Sequence, residues 1–343
     1  MQTSRLELAF VVLLALTVPF GLRPLASQLT RDAAPSYLPS LDPFLERAPF
    51  DPSLGEQLRR VRPHYVFIGD SMLGSRIDPQ YLSDRLGYRS WWVMQPGTGS
   101  AYWYLALKNV VLGSGLRPKT VFVFFRDENL TDVMFRLDPS YRWALDRIAH
   151  DREPELDAVI AKRQLGGWHP VHRAIERLTG SGVVGRRADA WLRRLPSRLV
   201  AGDDKVEAFD KEMNDLFAFE RLRPRVAADM ATADDDKLDF PRALGASVLP
   251  EMVRLARAHD VRLCFVRVQR RPRPDGPPVD SPALQRYIAD LRTWLADNGA
   301  GFHDFTGDPD YTLDWYKDGD HMGGWTRRRY TELFAVKLAP FFR

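Results

Sequence analysis

HYVFIGDSMLGSRIDP, residues 64–79, is the stretch on which the reading of this chain turns. HYVFI (64–68) is a short continuous apolar run, the pattern of a strand buried on both faces. It ends at Gly69-Asp70-Ser71, and Asp78–Leu86 then reads as a helix closed by Gly87 as its C-terminal cap. In open α/β sheets reactive groups gather at the carboxyl ends of strands, which is where Ser71 falls. A serine at such a turn presents its hydroxyl to a crevice, with backbone N–H groups facing a developing oxyanion. An ordinary strand-to-helix turn with a capping serine has the same three letters, so the tripeptide alone decides nothing.

Working outward, the same alternation continues on the C-terminal side. SWWVM (90–94) predicts a second strand, and the loop Gln95–Ser100 leads into a helix over Ala101–Leu112. TVFVFF (120–125) predicts a third buried strand, introduced by Pro118. From about 130 to 241 no strand pattern recurs. Helical periodicity there is interrupted by Gly166-Gly167, Gly180–Gly182, Gly202 and the acidic run Asp234–Asp236, the signature of a helical insertion. The alternation then resumes with a helix over 243–259, a strand over 262–268, a helix over 282–297, a short strand over 301–305 and a last helix over 325–338. This order predicts an α/β fold: a mostly parallel sheet with helices on both faces, interrupted by the helical insertion.

On the N-terminal side, residues 26–60 carry Pro35, Pro39, Pro43, Pro49 and Pro52 and read as an extended linker before the domain at 61–343. Before them, Arg5 precedes an apolar stretch from Leu8 to Leu22. As a helix its 15 residues span about 22 Å, and including Leu6 and Leu25 brings it to about 20 residues. Residues 1–25 are therefore expected to be an N-terminal transmembrane signal anchor, or else a cleaved signal peptide. Either reading exports the rest of the chain.

With 45% hydrophobic and 27% charged residues, the 343-residue chain has ample material for a large core. The formal charge of +4 is spread among interspersed acidic residues, not gathered into a stripe, which excludes nucleic acid as the expected partner. The single cysteine, Cys264, permits no internal disulfide and reads as a buried small hydrophobe within LCFV. His169 and His172 are spaced like a metal pair, but no third ligand stands near them, so no metal is expected. Arg186, Arg187, Arg193, Arg194 and Arg198 form a basic helical stretch whose default reading is a solvated face.

The second chemical element is Asp318-Gly319-Asp320-His321, directly before the last helix. A serine hydroxyl needs a base, and histidine is suited to it. The base needs a carboxylate to hold its tautomer. Asp318, three residues before His321, can turn back to the imidazole, whereas Asp320 points elsewhere more easily and could cap the loop. No Gly-x-Ser-x-Gly occurs, which argues against the α/β-hydrolase nucleophile elbow.

Taken together, VFIGDSMLGSRIDP and DWYKDGDHMGGWTRRRY resemble the SGNH (GDSL-like) hydrolase superfamily, and in particular its envelope-associated branches. The resemblance covers about 64–129 and 243–343. It implies a flavodoxin-like three-layer fold, a catalytic triad of Ser71, His321 and Asp318, and no cofactor. It also implies an oxyanion hole built from Ser71 with Gly97 or Gly99. The family's third block departs here to Arg126-Asp127-Glu128-Asn129, so either Asn129 or Arg126 is the expected additional donor. Trp103, Trp315 and Tyr316 are expected near the crevice, where they either stack on sugar rings or simply pack. The function so implied is that of a membrane-anchored, extracytoplasmic esterase or O-acyltransferase acting on acyl esters of a cell-envelope glycan. Its partners would be that glycan, the membrane and a membrane-bound O-acyltransferase. The other reading is a non-catalytic glycan-binding or scaffold partner of such an acyltransferase.

Overall fold

The computed structural model describes residues 49–164 and 238–342, apart from 138, 151, 273–275, 277 and 278. The expected N-terminal membrane helix, His169, His172 and the basic stretch 186–198 lie outside the described residues. Among the described residues no helix is long and apolar enough to cross a membrane.

The elements run α1 (Ser53–Val61), β1 (Tyr65–Gly69), α2 (Ser71–Arg76), α3 (Pro79–Leu86), β2 (Ser90–Met94) and α4 (Ser100–Leu105). There α4 passes into a π-helical stretch, Ala106–Leu112. Then come β3 (Thr120–Phe125), a 3₁₀ turn (Asp127–Leu130), α5 (Pro139–Asp146), α6 (Pro154–Gln164), α7 (Phe240–Gly245) and α8 (Leu249–Ala258). The chain closes with β4 (Arg262–Arg267), α9 (Pro282–Asp297), β5 (Gly301–Asp304), the short strands β6 (Tyr316–Asp318) and β7 (His321–Met322), and α10 (Arg327–Lys337). The five long strands form one parallel sheet in the order β2-β1-β3-β4-β5, the flavodoxin-like doubly wound order.

Three expectations are corrected in detail. Residues 53–61 are not extended linker. They form α1, whose Leu58 is fully buried, and Asp51 ahead of it pairs with Arg147. Five prolines in close succession dominated the reading of that segment, yet the last of them, Pro52, sits at the helix N-cap, where a missing N–H costs nothing. The helix expected over 243–259 is two, α7 and α8, separated at Ala246–Val248. The helix expected over 101–112 is also irregular, since its second half carries a π turn.

Why these segments adopt these states is visible locally. Asp78 accepts from the Tyr81 N–H at 3.1 Å, Pro79 fills the first helical position of α3, and Gly87 ends it at φ +70°. Ser281 and Pro282 start α9 in the same way. The strand faces separate by period two. Tyr65, Phe67, Phe122, Phe124, Cys264 and Val266 point into one aromatic-rich core shared with Phe305, Tyr330 and Phe334. Their neighbours Val66, Ile68, Val121, Val123, Leu263 and Phe265 are equally buried on the opposite face. Both faces of the sheet are therefore covered, giving three layers.

The first core is held by α10. Phe334 meets Phe67 and Phe122 edge-on, at centroid distances of 5.8 and 5.5 Å, while Phe67 and Phe122 stack at 5.1 Å. Each such ring contributes about 1.5–3 kcal/mol through burial alone. Phe334→Ala should lower unfolding free energy by about 3–5 kcal/mol, read by denaturant titration, because the packed rings around it cannot close the hole.

Candidate active site

The end of β1 is where the candidate site begins. A side chain at Gly69 would meet Leu73 Cβ at 2.9 Å and Phe124 Cβ at 3.2 Å, so glycine is what lets α2 fold back across the strand end. Asp70 caps α2, its carboxylate accepting from the Met72 N–H at 2.8 Å. Burial pushes the Asp70 carboxyl up, against the opposing pull of the Met72 N–H and the nearby Arg126, Arg136 and Arg76 charges. Ser71 is the first residue of α2 and is half-buried.

The partner of Ser71 comes from the far end of the chain. His321 Nε2 lies 2.8 Å from Ser71 Oγ, a hydrogen bond closed across 250 positions of sequence. His321 stands on β7, which pairs antiparallel with β6, so that Asp318 is its direct cross-strand neighbour. Gly319 between them turns at φ +44°. The Asp318 side chain lies outside the described part of the structure.

What seats His321 is the residue before it. The Asp320 carboxylate pairs with the Arg126 guanidinium and accepts the Arg271 N–H at 2.8 Å. The Asp320 carbonyl accepts from Arg76 Nη2 at 3.0 Å. Arg76 is fully buried, and its two terminal nitrogens donate to backbone: Nη2 to Gln269 O at 3.0 Å besides Asp320, and Nη1 to Met72 O at 3.2 Å. Thus α2, the end of β3 and the loop after β4 all grip one residue of the histidine loop. Burial opposes ionisation of Asp320, but Arg126, the Arg271 N–H and Arg76 together hold its carboxyl below the usual carboxylate range.

The structure therefore redistributes several expected roles. Arg126, one of the two additional oxyanion donors expected, pairs with Asp320 through Nη1. Asn129 sits buried in the 3₁₀ turn after β3. The backbone N–H groups of Ser71, Gly97 and Gly99 carry no hydrogen bond among the described residues, which leaves them as the donor candidates. Their loop is pinned to the site by the Gln95 N–H donating to Gly69 O at 3.2 Å, and shaped by Thr98 Oγ1 donating to Gln95 O at 2.8 Å.

Of the two roles expected for the three aromatics, stacking on a sugar ring or packing, the structure shows packing. Trp103 and Trp315 are each 1% exposed and Tyr316 is 5% exposed, the last two within the α10-side core. Large rings at helical or strand positions packed against a sheet bury for their area before they serve a ligand. The exposed aromatic beside the histidine is Trp325, at 68% exposure, which sequence reasoning placed only at a helix start. It stands on the turn closed by the Thr326 N–H to Gly323 O at 3.0 Å, and its indole occupies the space a side chain at Gly323 would fill. Arg76 and the Arg126–Asp320 pair were missed as well, because nothing in a linear pattern announces which cations will converge on one loop.

A serine after the first strand of a 2-1-3-4-5 sheet, bonded to a histidine just before the last helix, is the layout implied by the sequence motifs. The fold is a doubly wound α/β fold with a five-stranded parallel sheet. Two solved structures are similar to it at a low level. One, from Bacteroides fragilis, is provisionally described as an acylhydrolase, with 12% identity, TM-score 0.36, and coverage of 81% of this chain and 88% of that one. The other is a GDSL-like lipase from Bacteroides thetaiotaomicron, with 12% identity, TM-score 0.34, and coverage of 80% and 88%. No protein-family model matches the sequence, and no curated protein matches it either.

The depressed Asp320 carboxyl has a measurable consequence. A group with a lowered folded pKa contributes stability above its unfolded value, about 3.9, and loses that contribution as pH falls through the folded value. Asp320→Asn should cost about 1–3 kcal/mol at neutral pH. Denaturant titrations at several pH values should show that gap constant above about pH 5 and shrinking below about pH 4.

Proposed function

We propose that this chain is a serine esterase or O-acyltransferase acting on acyl esters of a cell-envelope glycan, with Ser71 as nucleophile and His321 as base. The observation that carries the reading is the 2.8 Å contact between Ser71 Oγ and His321 Nε2 at the carboxyl end of a parallel sheet. In this mechanism Ser71 Oγ attacks the ester carbonyl carbon while His321 Nε2 takes its proton. The tetrahedral oxyanion is met by the N–H groups of Ser71 and of Gly97 or Gly99. Collapse breaks the bond to the alkoxide, which recovers the proton from the imidazolium and leaves acyl-Ser71. Water or an acceptor hydroxyl then attacks that acyl group, with His321 again as base. Asp318, opposite His321 across the β6–β7 pair, is assigned to hold the imidazole tautomer.

The finer terms rest on separate supports. The apolar stretch 8–22 behind Arg5 supports an N-terminal anchor with the folded unit on the extracytoplasmic side. The motif resemblance to envelope-associated branches supports a glycan substrate and a membrane-bound O-acyltransferase as partner. The exposed Trp325, four residues after His321, is a surface on which a sugar ring can stack.

The test is covalent labelling. A fluorophosphonate probe should modify Ser71 in the full-length protein and leave Ser71→Ala unmodified. Asp318→Asn should then lower turnover of a small acetyl ester by roughly 10³–10⁴-fold while keeping the melting temperature, as expected when a triad carboxylate is neutralised. An unlabelled Ser71 would hand the fold to the scaffold reading.

A further inference from the structure

Ser71 stands at the end of β1, between two loops of different origin. The glycine loop leaves the edge strand β2 on one side and is pinned to β1 by the Gln95 N–H on Gly69 O. The histidine loop is anchored on the other side, through Asp320, to Arg126 at the end of β3 and to the Arg271 N–H beyond β4. This division orients an ester attacked by Ser71. Its leaving oxygen must face His321, which returns the proton, and its carbonyl oxygen must face the N–H groups of Ser71 and of Gly97 or Gly99. The acyl substituent is what remains, and it is left on the side of the glycine loop, away from the histidine.

One side chain closes that side. Phe135, in the segment after β3, packs directly on the backbone of Gly99. A Cβ at 99 would meet the Phe135 ring at 2.9 Å, its carbonyl oxygen at 3.1 Å and its Cβ at 3.4 Å. Gly99 lies at φ −134°, a conformation open to any residue, so glycine is required here by the closeness of Phe135 and not by the backbone. The Phe135 side chain is only half-buried. It is held in place from both sides of the chain. The Phe135 N–H donates to Asp132 O at 3.2 Å, the Leu137 N–H donates to Met134 O at 3.3 Å, and the Arg136 guanidinium carbon lies 5.0 Å from the ring centroid. A ring restrained in this way forms a fixed wall over the glycine loop beside Ser71.

We propose that Phe135 is the wall of the acyl subsite and sets the length of the acyl group: two-carbon acyl groups are accepted, and four-carbon or longer ones are refused. The proposal rests on the esterase or acyltransferase reading above and specifies its acyl group. A carbonyl oxygen bonded to a loop N–H lies about 2.9 Å from that nitrogen, so the acyl chain starts close to the ring that covers Gly99. A methyl group is accommodated there, while each further methylene runs into a packed side chain and carries the cost of overpacking.

The experiment measures turnover of para-nitrophenyl acetate, butyrate and hexanoate by the full-length protein, with Ser71→Ala as the blank. In the wild type kcat/KM for the acetate should exceed that for the butyrate by at least about tenfold, since one methylene in a fitted apolar pocket is worth roughly 10–200-fold. The hexanoate should be poorer still. Phe135→Ala should raise kcat/KM for the butyrate and lower it for the acetate, bringing the two within about threefold of each other. Phe135→Leu, which keeps a smaller apolar wall, should lie between. A gain on the butyrate is a readout that a damaged fold does not supply. Equal turnover of the three esters by the wild type, a preference for the longer ones, survival of the acetate preference in Phe135→Ala, or a parallel loss on all three in that variant each overturns the proposal and leaves the esterase reading standing. No turnover of any ester, together with no fluorophosphonate label on Ser71, overturns both.

Discussion

A hydroxyl from residue 71 and an imidazole from residue 321 must meet within hydrogen-bond distance, and the 2.8 Å contact between them is the constraint the rest of the structure serves. Neither group can bring this about locally. Ser71 is placed by β1 and by the glycine at 69 that lets α2 turn back over the strand end. His321 is placed by a two-residue strand too short to hold itself. Its position is borrowed from α10, whose Phe334 is locked between the rings of β1 and β3, and from Asp320, gripped from three other elements. The loss of closure entropy over so long a span is met by that burial and by those charge-assisted bonds.

Charge is concentrated at this end of the sheet to an extent the modest net charge conceals. Beyond the Arg126–Asp320 pair, Arg267 is almost wholly buried among Asp127, Asp280 and Asp304, at 2.8, 2.8 and 3.2 Å. Arg270 also pairs with Asp127 and Asp280. Asp127 holds φ +49° to take part. Buried pairs of this kind gain little net stability over apolar packing, because desolvation offsets much of their attraction. What they do enforce is geometry, since breaking any one leaves a charge stranded. The ends of β3, β4 and β5 are joined by this network, next to the loop that carries His321.

The reading of the strands was accurate where the signal was physical and local. SWWVM and TVFVFF became strands at the expected positions, the first as the partly buried edge strand β2 and the second buried along its whole length between two covered faces. Asp78, Pro79 and Gly87 bounded α3 as expected, because caps act within one turn of chain. Helix 53–61 was lost behind a run of prolines, and the π turn after Leu105 has no signal in a pattern that only distinguishes helix from strand. Trp103, Trp315 and Tyr316 were expected at the crevice from their nearness to motif residues, but nearness in sequence says nothing about which face of an element a ring occupies.

The sequence by itself determined the fold class and named the serine and the histidine that the fold brings into contact. Hydrophobic period, capping residues and the two short motifs are each properties of a few consecutive residues, and they survive being read in a line. The tertiary structure alone decided which charges would meet. Arg76 and Arg126 look alike as letters, yet the first is buried on carbonyls and the second is paired with Asp320. Their roles depend on distances between segments far apart in the chain, and electrostatic interaction depends on separation and burial, neither of which a sequence contains.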